Sequence, residues 1–139
     1  MKMKRYWLTV VAVFIAMNVF GAIIHGTLLF DDYRALPNDL VRPTAEANAR
    51  MHFMFLGMLS SSLAMVWIYA QLVTEKPWLR QGIRFGIAVW MLKTVPMFLI
   101  YYFTSPYPPD LVIKQIVFEF IAVTILGVIA AAIYRPGPA

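Results

Sequence analysis

Cysteine is absent from the 139 residues, which removes disulfides, thiolate zinc sites, iron–sulfur clusters and cysteine nucleophiles together. Charge is scarce as well: charged side chains make up 14% where ~25% is usual. No phosphate-binding loop, dinucleotide fingerprint or zincin helix occurs. What fills the chain instead is apolar. Hydrophobic residues reach 61% against an ordinary ~45–50%, and a soluble domain of this length cannot hide that much apolar surface. A water-soluble enzyme is therefore not expected. Nine methionines and 15% aromatic residues suit a bundle embedded in lipid. The net charge of +5 would point to nucleic acid only if the basic residues clustered on one face. They fall between apolar runs, as membrane-flanking residues do, so no nucleic-acid partner is expected.

Four apolar runs, Tyr6–Phe30, Met51–Thr74, Gly82–Phe103 and Leu111–Tyr134, each exceed the ~20 residues a helix needs to cross a ~30 Å hydrocarbon core. Strands are excluded by length. The first run follows a basic stretch, yet it is longer than the ~7–15 residues of a signal-peptide core and lacks a small-x-small cleavage site. It reads as a retained helix. The sequence thus predicts an all-α membrane protein: one domain over 1–139, four transmembrane helices in an up-down-up-down bundle. Lys2, Lys4 and Arg5 precede the first span, Lys76, Arg80 and Arg84 surround the second connection, and Arg135 follows the fourth span. The link Thr104–Asp110 has no lysine or arginine. By the positive-inside rule both termini face the cytoplasm. In the first connection, Asp31–Arg50, Thr44 is the expected cap of a helical lead-in to span two. Ser105-Pro-Tyr-Pro-Pro109 is a stiff return.

Inside the membrane, Lys93 and Glu119 are the sharpest signal. A lone charge at the bilayer centre costs ~2.5–3.5 kcal/mol or more. At ~1.5 Å per residue both lie ~12–15 Å below the outer edge, on spans joined by a short link, so an intramembrane Lys93–Glu119 ion pair is expected. It would serve either to fix helix register or as a proton or ion relay. Pro96 deprives the Leu92 carbonyl of its usual partner beside Lys93. His25 and His52 approach the outer face on adjacent helices, and Met51, Met54 and Met58 share a helical face beside His52. Haem b or copper held by His25, His52, Met51 and Met54 is one reading. The other leaves the methionines as packing and His25 hydrogen-bonded to a neighbour such as Glu119 or Tyr102. Their offset in depth favours the second, so no metal or haem is expected, whereas bound lipid is. Gly82 and Gly86 form a G-x-x-x-G pattern that permits close helix approach, and Gly127 with Ala130–Ala132 gives span four a small surface.

The stretches His25-Gly-Thr-Leu-Leu29, Tyr33, Arg42-Pro-Thr-Ala-Glu46 and Ile68-Tyr-Ala-Gln-Leu-Val73 carry a resemblance. With the Gly82/Gly86 pair, the proline-rich link, Glu119 and Gly127, the chain resembles small bacterial four-span proteins of the DUF1761-like kind. The resemblance implies a bacterial inner-membrane protein with a polar set His25, Arg42, Glu46 and Glu119, and implies no reaction; His52 and Lys93 fall outside the pattern. Three functions fit these residues. The first is a non-enzymatic accessory subunit in contact with other membrane subunits or with copies of itself. The second is a haem- or copper-binding redox protein. The third is a small oligomeric proton or ion transporter centred on Lys93 and Glu119.

Overall fold

The computed structural model describes residues 2–74 and 77–135; Lys76, counted above among the basic flanks, lies outside them. Four helices are long and apolar enough to cross a membrane: Met3–Leu28, Met51–Leu72, Trp78–Thr104 and Pro109–Ile133. No strand occurs among the described residues. Hydrocarbon offers no partner for backbone N–H and C=O groups, so runs of this length satisfy them internally as helices. These are spans one to four of an all-α bundle. In order, the elements are α1 (Met3–Ile23), a π segment (Ile24–Leu28), α2 (Phe30–Arg34), α3 (Thr44–Ala49) and α4 (Met51–Leu72). Then come α5 (Trp78–Val89), a second π segment (Trp90–Thr94), α6 (Val95–Thr104) and α7 (Pro109–Ile133).

Two local expectations change. Span one ends before Phe30: the backbone breaks at Leu29 (φ −105°, ψ 10°) and Phe30 opens α2. Leu29 is fully buried and packs with Ile24, Leu36, Leu111 and Ala122, so the first connection folds back over the ends of spans one and four. Lys114 Nζ donates to Asp32 Oδ1 at 2.8 Å and pins that fold. Thr44 is not a cap. Pro43 holds that position in extended backbone, and Thr44 is the first helical residue, with no side-chain cap bond; a proline's fixed φ sets the helix entry without one.

Spans three and four are in closest contact, and their glycines explain it. A Cβ on Gly86 would lie 2.7 Å from Thr124 Cα, and one on Gly82 2.7 Å from Ala131 Cβ. The close approach implied by G-x-x-x-G is present. Span four also packs on span one, and span one on span two. The contact that would close a square bundle, span two on span three, is reduced to isolated points. One is the edge-on Tyr69–Phe85 pair, with ring centroids 5.1 Å apart. Along this open seam lie two cavities, of about 660 Å³ near the termini and about 510 Å³ further along. Beyond them span two stands away from the bundle: every residue from Met51 to Gly57 is exposed.

Candidate functional site

Each π segment places one ionisable residue at the seam. Leu29 N–H bonds the Ile24 carbonyl at 2.8 Å, and Val95 N–H bonds that of Trp90; both are i→i−5 turns. The extra residue in such a turn re-aims the side chains around it, and π turns are frequent at functional sites. His25 lies in the first segment and Lys93 in the second. Pro96, in the first turn of α6, has no N–H to complete the ordinary ladder at the second. Both residues border the 510 Å³ cavity, and Glu119 of span four joins them there. Its apolar wall includes Phe20, Met54, Met58, Met97 and Phe98.

A chain of hydrogen bonds runs into this cavity from the first connection. Gln115 Nε2 donates to Tyr33 Oη at 2.7 Å. Tyr33 has one proton of its own, and burial pushes its phenol above the ordinary value, against the lowering effect of the Gln115 bond. The hydroxyl therefore stays protonated and donates to His25 Nδ1, 2.7 Å away. The Glu119 carboxylate only accepts, so Nε2 is the ring nitrogen that carries the hydrogen shared with it. Nε2–H then donates to Glu119 Oε1 at 3.0 Å. Four side chains are thus oriented in one direction, each fixing the next. Among the described residues, no protein donor meets the second oxygen of Glu119.

Lys93 and Glu119 do not form the direct pair expected from their depth. Lys93 Nζ instead donates to Ser61 Oγ of span two at 3.1 Å, bridging the seam, and the Glu119 carboxylate is taken by His25. Depth follows from counting residues along a helix, but bearing around its axis does not, and the π turn at Lys93 alters that bearing. Both charges still line one cavity. The proposed polar set also divides. Arg42 and Glu46 form an exposed pair at 3.4 Å on the first connection, joined by Arg50 at 3.7 Å, without His25. The haem or copper set divides likewise: His25 and Met54 border the cavity, whereas His52 is exposed and lies against Phe53, ring centroids 4.2 Å apart, and Met51 is exposed.

Three members of the site were not singled out as site residues from the sequence. Gln115 had a signal, since it stands one helical turn before Glu119 and shares its face. Ser61 lay hidden among three consecutive serines. Tyr33 reaches His25 only because the chain breaks at Leu29 and turns back, which no periodicity announces.

A family model described as a protein of unknown function, DUF1761, matches residues 7–131. No curated protein and no solved structure matches the chain.

Proposed function

We propose that this chain, which belongs to the DUF1761 family, is a non-enzymatic membrane protein that holds an amphiphile in the cleft between spans two and three. The observation that carries the reading is the composition of the 510 Å³ cavity: methionine and phenylalanine walls around a few convergent polar groups, Lys93, Ser61, His25 and Glu119. Mostly apolar concavities with a few placed polar groups are how proteins hold small ligands. Methionine walls adapt to irregular apolar shapes. The guest's head accepts a hydrogen bond from Lys93, and a hydroxyl on it meets the second oxygen of Glu119. Both ring nitrogens of His25 are already engaged, which suits holding a ligand rather than turning it over.

Such a protein serves as an accessory subunit beside other proteins of a bacterial inner membrane. The exposed stretch of span two supports this role, because Gly57 has open space around it and small residues let a partner helix approach closely.

A fluorescent monoacylglycerol, whose head carries hydroxyl groups and no charge, titrated into the detergent-solubilised protein tests the reading. Lys93→Met removes one charge-assisted hydrogen bond, for which ~1.5–3 kcal/mol is typical, so its affinity is expected to fall at least about tenfold. Equal affinity in wild type and variant would contradict the proposal.

A further inference from the structure

The second cavity on the seam, near the termini, has a different chemistry. It holds about 660 Å³, with Arg80, Arg84, Gln81 and Thr74 at its polar side and Leu72, Phe85 and Ala88 at its apolar side. We infer that it binds an anionic glycerophospholipid, the phosphate between Arg80 and Arg84 and an acyl chain along the seam.

Four observations carry this. Arg80 and Arg84 stand one turn apart on α5 and border the same cavity. The planar forks of two guanidinium groups so placed match phosphate oxygens. At ~1.5 Å per residue they sit within ~10 Å of the end of span three, where lipid headgroups lie. Trp78, at that same end and covered by the Arg135 guanidinium at 4.4 Å, is a side chain that favours the interface.

Preorganisation is the third observation. Gln81 Nε2 donates to the Leu72 carbonyl at 2.8 Å, and its Oε1 accepts from Thr74 N at 3.5 Å. Span two and α5 are thereby held at a fixed separation around the cavity. The fourth is Tyr69, a cavity-lining residue only 1% exposed, whose hydroxyl has no partner among the described residues. A buried hydroxyl rarely goes unmet, and a small rotation of the Tyr69 ring toward the cavity would let a lipid ester oxygen below the phosphate accept from it. Leu72, Phe85 and Ala88 give an acyl chain its apolar wall along the seam.

Native mass spectrometry of the full chain in detergent, with dioleoyl phosphatidylglycerol, dioleoyl phosphatidylcholine and inorganic phosphate as probes, tests the inference. Phosphatidylglycerol is expected to bind about tenfold or more tighter than phosphatidylcholine, whose phosphate is the same but whose choline cation would be held against the two arginines. Arg80→Gln/Arg84→Gln should erase that preference, the Arg→Lys double variant should keep part of it, and Arg42→Gln should leave it intact. Tyr69→Phe should weaken both lipids. Equal binding of the two lipids overturns the inference, as does a preference that survives the glutamine double variant. Displacement of phosphatidylglycerol by millimolar phosphate would make the site one for a free anion and overturn it too. Lys93→Met should leave this preference unchanged, which keeps the outcome separate from that of the central cavity.

Discussion

Gly127→Ala is expected to be the most damaging small substitution in the chain. Its new methyl would stand 2.5 Å from the Gly82 carbonyl oxygen, 2.6 Å from Gly86 N and 2.7 Å from Gly86 Cα. All three are backbone atoms of span three, so no side-chain tip can yield and the helices must separate. Overpacking typically costs ~1–3 kcal/mol, occasionally more. With backbone on every side, a loss of about 3 kcal/mol is expected here. Separation would also loosen the contacts of span four that aim Glu119. Thermal denaturation in detergent reads the effect, with Gly57→Ala as the comparison. Nothing lies within 4 Å of a Cβ at Gly57, so its change should stay within ~0.5 kcal/mol. Similar stability for the two variants would mean that spans three and four do not meet through their glycines.

The second large effect concerns the histidine and the carboxylate. His25→Phe leaves Glu119 without its donor, and Glu119→Leu leaves His25 Nε2–H without an acceptor. A hydrogen bond to a charged group typically contributes ~1.5–3 kcal/mol. The side chains are 36% and 21% exposed, which leaves room for neighbours to relax, so ~1–2 kcal/mol is expected for each single variant. The double variant should cost less than the sum of the two, with a coupling of about 1 kcal/mol, as for residues in one hydrogen-bonded network. Lys93→Met combined with Glu119→Leu should couple more weakly than the histidine cycle, because Lys93 bonds Ser61 and meets Glu119 only through space in the shared cavity. Strong coupling in the lysine cycle and none in the histidine cycle would reverse this assignment of partners.

The spans were legible because bilayer thickness and backbone hydrogen bonding leave an apolar run of this length one solution. The span-three and span-four contact was legible from the short link that joins them, while Gly82 and Gly86 permitted a close approach that could have served a neighbouring span or a partner subunit. Glu119 and Lys93 announced themselves by their cost in hydrocarbon. Their partners did not. Partner choice depends on rotation about each helix axis, and two π turns, at Ile24–Leu28 and Trp90–Thr94, alter that rotation where the ionisable residues stand. Leu29 shows the same limit. As one more apolar residue of a long run it looks membranous, yet it is the buried pivot that brings Tyr33 back over His25. The open seam was equally hidden, since short links predict sequential neighbours but not that spans two and three part.

Whether the cleft holds an amphiphile is read most directly by extracting the purified protein with organic solvent and measuring what leaves it by mass spectrometry, beside a Ser61→Trp variant. Ser61 faces the cavity from span two, and an indole there would fill the space the guest needs. The expected result is a near-stoichiometric amphiphile from the wild-type protein, lost from a Ser61→Trp variant that still shows wild-type helical content and elutes as the same species. Extracts that match bulk membrane lipid in both proteins, with no species enriched by the wild type, would contradict a ligand-holding cleft.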